Sequence, residues 1–246
     1  MDRALYVAMS GASQAWDAQA AISNNIANAS TVGFKATLAD AQSRAVAGAG
    51  LDSRVHAVSS SPGFNARAGQ IMQTGNELDI ALNDGMWLGV MDAQGEVAYT
   101  RAGDLEINSL GQLLTHSGDP VMGENGAIAV PPHSKLEIGG DGTVSIVPQG
   151  GAANQLVVLD RLNVSSIDAK DLTRGSDGLF RASEEAEVLP APGQVLVSGA
   201  LESSNVNLAE SLVQMIEQQR RYELQVKAMK AADENAARSA ELLKRS

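Results

Sequence analysis

Apolar positions at the start of the chain step by three and four: Leu5, Ala8, Ala12, Ala15, Gln19, Ile22, Ile26 and Ala29, with Gln19 the one polar member. That alternation is the stripe of a coiled-coil helix. It returns near the other end at Leu208, Leu212, Met215, Gln219, Tyr222, Val226, Met229, Asp233, Ala236, Ala240 and Leu243, broken by Gln219 and Asp233. A first helix is therefore expected from Asp2 to about Ala29, roughly 40 Å long, ending before Ser30-Thr31-Val32-Gly33, where Gly33 serves as a stop. A second begins after Ser203-Ser204-Asn205, whose small polar side chains cap exposed N–H groups, and runs to about Lys244 without Gly or Pro. Both have few large apolar residues, so most of their stability must come from association. Either the two helices close on each other within one chain, or they enter a bundle with neighbouring copies. The shorter first helix covers only part of the last one, which leaves apolar surface for another subunit. Gln19, Gln219 and Asp233 either set register within the seams or face a wet groove.

Between the helices the pattern changes period. Residues 37–80 are rich in Ala, Ser and Gly, with a loop at Ser59-Ser60-Ser61-Pro62-Gly63, and read as an extended connector. Short β-favouring runs then alternate with turns: Met86–Met91, Glu96–Arg101, Leu105–Ile107, Leu113–Thr115, Lys135–Ile138, Thr143–Val147, Gln155–Leu159 and Val195–Leu201. Gly139-Gly140-Asp141-Gly142 is the strongest hairpin turn among them. The expected fold is α+β. N- and C-terminal coiled-coil helices pack together around a central all-β domain of sandwich or barrel type. The expected divisions are 1–36, the N-terminal helix of a discontinuous assembly domain; 37–80, the connector; 81–200, the β domain; and 201–246, the C-terminal helix of the assembly domain. Leu201, Glu202, Ser203 and Asn205 stand at the joint before that last helix.

Charge sharpens this division. The chain of 246 residues has a formal net charge of -11. Residues 1–36 hold two basic and two acidic side chains and residues 201–246 seven of each, so the whole imbalance lies in the middle. Neutral ends can pack side by side without repulsion, whereas an acidic middle repels nucleic acid and anionic lipid and reads as a solvated outer surface. Aromatic content of 3% makes the core aliphatic. The absence of cysteine excludes disulfides, thiol catalysis and Cys-based zinc sites. The apolar run Ala4 to Met9 after Arg3 is too short for a signal-peptide core, and no stretch is long and apolar enough to span a membrane.

Reaction chemistry is not visible. His56, His116 and His133 stand singly in turn-like contexts and read as surface groups. There is no nucleophile elbow, phosphate loop or dinucleotide fingerprint, because the glycines fall between strands and not before a helix. The Asp141-Gly142 tip lacks the alternating ligands of a calcium loop. No catalytic residue, metal site or cofactor is expected.

Three stretches carry a resemblance. Ile22-Ser23-Asn24-Asn25-Ile26-Ala27-Asn28-Ala29-Ser30-Thr31-Val32-Gly33-Phe34-Lys35 is similar to the N-terminal signature of the flagellar basal-body rod and hook protein family. Leu78-Asp79-Ile80-Ala81-Leu82, with Trp87-Leu88, Tyr99-Thr100-Arg101-Ala102-Gly103 and Gly111-Gln112-Leu113, resembles a second motif of that family. Gly199-Ala200-Leu201-Glu202-Ser203-Ser204-Asn205-Val206 resembles a third, immediately before the last helix. The opening Met1 to Ala12 and the compact length look most like proximal-rod members, with distal-rod members next. Val32 stands where many members have Pro, and Asp84-Gly85-Met86-Trp87 departs from the distal-rod and hook pattern. The resemblance implies a structural subunit of the proximal rod, exported by the flagellar type III apparatus and assembled in the periplasm with itself and neighbouring rod proteins. The terminal helices would form the inner tube. Their interface would use Leu5, Ala8, Ala12, Ala15, Ile22, Ile26, Leu208, Leu212, Met215, Tyr222, Val226, Met229 and Leu243. Asn24, Asn25 and Asn28 would either hydrogen-bond a neighbour's backbone or cap the helix end. The rival from another class is a secreted β-domain carbohydrate-active enzyme with helical appendages, which lacks any recognisable site.

Overall fold

The computed structural model describes residues 2–38, 41–45, 55–59, 63–150 and 156–244. Two compact units form: Met1–Ala29, Ala36–Asn65 and Val206–Ser246 make one, and Ser30–Lys35 with Ala66–Asn205 make the other.

In the first unit, α1 (Asp2–Ala27) and α2 (Leu208–Lys244) pack antiparallel. Gly11 lies against the Gln225 amide, and the Trp16 ring tilts against Tyr222 at 6.2 Å between centroids. Ala8, Ala12, Ala15, Ile22 and Asn25 are buried on α1, and this small-residue face lets neighbouring backbone come close. On α2 the covered positions are Ser211, Met215, Gln218, Gln225, Val226, Met229 and Ala232, with Tyr222 at the edge of exposure between them. This seam shares Met215, Tyr222, Val226 and Met229 with the apolar stripe, while Leu208 and Leu212 face outward. The displacement has a physical cause. An Ala- and Gly-lined partner accepts the Gln225 amide directly on Gly11, so residues chosen by size and fit, not apolarity alone, occupy the inner face. The side chains of Leu5, Ala236, Ala240 and Leu243 fall outside the described residues.

The segment expected as a connector is divided between the units. Strands β1 (Thr37–Leu38) and β4 (Gly63–Phe64) pair antiparallel, as do β2 (Ala41–Ala45) and β3 (Val55–Ser59), and α1 packs on β1 and β3. Their Ala- and Ser-rich sequences lack the large alternating side chains that mark a strand, so backbone pairing alone reveals them. Residues 66–80 belong to the second unit.

The second unit is β-rich. In chain order it carries β5 (Ile71–Gln73), β6 (Ile80–Leu82), β7 (Met86–Met91), β8 (Val97–Thr100), β9 (Leu105–Ile107), β10 (Leu113–Thr115), β11 (Met122–Gly123) and β12 (Gly126–Ala127). Then follow β13 (His133–Ile138), β14 (Thr143–Pro148), β15 (Val157–Arg161), β16 (Val164–Ser166), β17 (Leu172–Arg174), β18 (Phe180–Ala182), β19 (Leu189–Pro190), β20 (Leu196–Ser198) and β21 (Ala200–Glu202). Its largest sheet runs β17-β18-β8-β7-β16-β19, and a three-stranded sheet runs β13-β14-β15. The Gly139–Gly142 turn joins β13 to β14 as expected, closed by Gly139 N–H to Thr143 O at 2.8 Å, with Gly142 at φ +87°. The expected single run Val195–Leu201 is instead broken at Gly199, φ +73°, so that β20 pairs β6 and β21 pairs β5. One aliphatic core, including Ile80, Leu88, Val90, Leu113, Val121, Val144, Ile146 and Leu196, fills the unit. The polar-rich strands β16 to β19 lacked a legible pattern because they bury only part of each side chain set.

Candidate functional site

Glu202, on β21, is 2% exposed and gathers donors from distant parts of the second unit. Its Oε1 accepts from Lys35 Nζ at 2.7 Å and from Gly69 N–H at 2.7 Å; its Oε2 accepts from Arg101 Nε at 2.7 Å and also from Arg101 Nη2. Its backbone carbonyl accepts from Gly33 N–H at 2.8 Å. The remaining donors are spent on carbonyls. Lys35 Nζ reaches Arg67 O at 2.9 Å, and the Arg101 guanidinium reaches Leu82 O, Asn83 O and Met86 O at 2.7–3.1 Å. One carboxylate thus faces two cations in a dry site. Burial alone would raise the Glu202 carboxyl, but the Arg101 charge and the Lys35 hydrogen bond hold it below the ordinary carboxylate value. Burial likewise pushes the Lys35 ammonium down, against the pull of Glu202.

Backbone packs as tightly as the charges. Gly33 adopts φ +67°, and a Cβ there would lie 2.1 Å from Arg101 O; one on Gly69 would lie 1.8 Å from Ser203 O. Only glycine fits either place. Arg174 stacks over Phe34 at 4.2 Å and donates to Lys35 O at 3.1 Å. Ser203 exchanges hydrogen bonds with Gln70, Asn205 Nδ2 donates to Arg67 O at 2.8 Å, and Leu201 pairs in register with Met72. The chain segment that follows α1 is therefore locked to the segment that precedes α2. Sequence reasoning named Glu202 and its neighbours but missed Lys35, Arg101 and Gly33 as their partners. All three stand in the quoted motif stretches, and an isolated Lys and Arg flanked by apolar residues was the available signal.

The remaining expected residues separate into two groups. Ala8, Ala12, Ala15 and Ile22 are used inside the helical unit, and Ile26, Met215, Val226 and Met229 are half-buried there. Asn25 is buried, its Oδ1 accepting from Thr37 N–H at 2.7 Å and its Nδ2 donating to Thr37 O at 2.9 Å, so it braces β1 of its own chain. Asn28 Nδ2 donates to Asn24 O at 2.8 Å, which is the capping alternative; Asn24 itself is exposed. Leu208, Leu212, Val213, Ile216 and Leu224 are each 47–63% exposed on α2. Leu208, Leu212 and Ile216 follow one another at four-residue spacing, with Val213 beside Ile216, so they form one outward apolar face. Among the described residues, no three His, Asp or Glu side chains stand close enough to hold a metal ion.

A helical unit with an outward apolar face, and a β unit whose buried Glu202 is matched to Lys35 and Arg101, suit a structural assembly protein. The comparisons are specific. Residues 5–35 match the family described as flagella basal body rod protein, residues 81–146 the flagellar hook protein FlgE/F/G D1 domain, and residues 197–242 the flagellar basal body rod FlgEFG protein C-terminal region. The chain is 40% identical, over 99% of both chains, to the flagellar basal-body rod protein FlgF of Escherichia coli and to that of Salmonella typhimurium. It is 33% identical to FlgG of Bacillus subtilis over 95% of this chain and 96% of that one. The chain belongs to the flagellar basal-body rod protein family, and is a structural protein, not an enzyme. Each matched segment supplies one arm of the cluster: Lys35 ends the first, Arg101 lies in the second and Glu202 in the third.

Proposed function

We propose that the chain is a subunit of the proximal flagellar rod, polymerising through its terminal helices into the shaft that transmits torque. The observation that carries this reading is the outward apolar face of α2, Leu208, Leu212, Val213 and Ile216, which the chain's own α1 leaves uncovered. At 37 residues against 26, α2 is also longer than α1 by about 16 Å of helix. Neighbouring copies and other rod proteins supply the missing cover in a coiled-coil bundle, with Leu201, Glu202, Ser203 and Asn205 as the joint and the β unit outermost. No described helix is long and apolar enough to cross a membrane. Passage through the flagellar type III export apparatus brings the chain to the periplasm. The similarity to FlgG supports a second reading, a distal-rod subunit. Deleting the gene and imaging the basal bodies tests both. A rod that stops near the inner membrane is the expected result; a stub of full proximal length would assign the distal place, and a complete rod and hook would overturn the proposal.

A further inference from the structure

The tip of the β11–β12 hairpin carries the one Asn-Gly step in the sequence, Asn125-Gly126. Gly123 pairs with Gly126, so Glu124 and Asn125 make a two-residue turn on which Asn125 stands exposed. Gly126 holds φ +119°, and a Cβ placed on it would meet nothing within 4 Å. The side chain that would crowd the Asn125 amide from the next residue is thus missing, and the space beside Gly126 is open. Asp160 holds the tip from across the turn: its Oδ1 accepts from Asn125 Nδ2 at 3.1 Å and its Oδ2 from Asn125 N–H at 3.4 Å. That carboxylate cannot retreat over Gly123, where an added Cβ would lie 2.4 Å from Oδ2. The Arg161 guanidinium is engaged elsewhere, donating to Asp141 O at 2.8 Å and Ala191 O at 3.2 Å, with the Glu124 carboxylate at 3.6 Å.

We infer that Asn125 is a site of spontaneous covalent modification, losing its amide through Gly126 and so unfastening the hairpin from Asp160. The Gly126 backbone nitrogen bonds to Asn125 Cγ; the Cγ–Nδ2 bond breaks, and Nδ2 leaves as ammonia with the proton that Gly126 gives up. The succinimide ring that results takes up one water at either of its carbonyls and opens to aspartate or isoaspartate. Solvent water is the single co-reactant, and nothing is oxidised or reduced. Attack requires the Gly126 nitrogen to shed its proton, so base speeds the reaction. The product bears directly on Asp160. A carboxylate has no hydrogen to give, so two acceptors confront each other where a donor stood at 3.1 Å. Like charges directly opposed destabilise strand pairing, and the isoaspartate form also lengthens the backbone next to the Gly123–Gly126 pair. The Glu124 N–H to Arg161 O bond, 3.0 Å, is the neighbouring fastening and loosens with the tip.

The test follows the full-length purified chain during incubation at physiological temperature, at neutral and at mildly alkaline pH. Peptide mass spectrometry reads the replacement of NH2 by OH at each asparagine, and labelling by an isoaspartyl methyltransferase counts the rearranged product. Conversion at Asn125 should exceed that at the loop residues Asn76 and Asn108 several-fold and should quicken in base; equal conversion at all three would overturn the inference. Asn125→Asp carries the product's charge from the start and tests the consequence. Protection of the Glu124 amide from exchange should fall several-fold in that variant while Val90 keeps its own. Adding Asp160→Asn, which sets a donor against the new carboxylate, should restore it. Unchanged protection at Glu124 in Asn125→Asp, or no recovery on adding Asp160→Asn, would show that loss of the amide does not unfasten the hairpin and would overturn the inference.

Discussion

Glu202 joins three stretches of chain that are far apart in sequence, and its chemistry can be tested alone. Glu202→Gln leaves Lys35 and Arg101 buried without a counter-charge, so urea unfolding should show a loss of about 3–5 kcal/mol. Gly33→Ala meets both the φ of +67° and the Arg101 carbonyl, and should destabilise by more than about 1 kcal/mol. Acid acts on this site in a known direction. The Glu202 carboxyl sits below its ordinary value, so its contribution is present at neutral pH and is lost as pH falls through that lowered value. Asp104 behaves oppositely. Its Oδ1 is buried without a partner opposite Asp79, and burial raises its carboxyl, with the Asp79 and Glu106 charges adding to this and His116 opposing it. The ionised form is then a burden that disappears as pH falls through the raised value. Asp104→Asn should therefore raise the melting temperature at pH 7, with the gain shrinking toward pH of about 4. An equal gain at every pH would contradict this. Of this residue-scale picture, Glu202 was named from the sequence only as part of the joint before α2; the cap of α2 is Asn207, and a cation pair contributed from 167 and 101 positions away has no signature in a single sequence.

At the scale of elements, the helices were readable because a period of three and four survives over many turns, and the bounds Asp2–Ala27 and Leu208–Lys244 fall within two or three residues of the expected ones. Which face turns inward was not readable. An apolar stripe marks what must be covered but not by whom, and here Ser211, Gln218 and Gln225 take the inner positions while Leu208 and Leu212 face outward. The β7–β8 and β13–β14 hairpins were legible from their turns, whereas β1 to β4 were hidden by short Ala- and Ser-rich strands. What holds β1 is Asn25, whose amide brackets Thr37 with two hydrogen bonds. Asn25→Ala should cost roughly 1–3 kcal/mol within the helical unit. Amide exchange should quicken at Thr37 while Val90 and Tyr99 in the β7–β8 hairpin keep their protection. Unchanged exchange at Thr37 would show that the brace is dispensable.

At the scale of the whole molecule, charge and apolar surface are sorted. The net charge lies in the middle of the sequence, and the two ends are balanced and carry the long helices. α1 and α2 steady each other within the chain, while the apolar residues left outside on α2 are free to meet another subunit, which ties that face to the proposed function. The proposed assembly depends on that face. Its most direct test is the amount of a Leu212→Asp variant in purified basal bodies, measured by immunoblot beside its total amount in the cell and the circular dichroism of the purified chain. Leu212 is exposed in the subunit, so the variant should be made and folded normally; a buried charge at a subunit contact should nevertheless exclude it from basal bodies and abolish swimming. Normal incorporation and normal swimming would contradict the account.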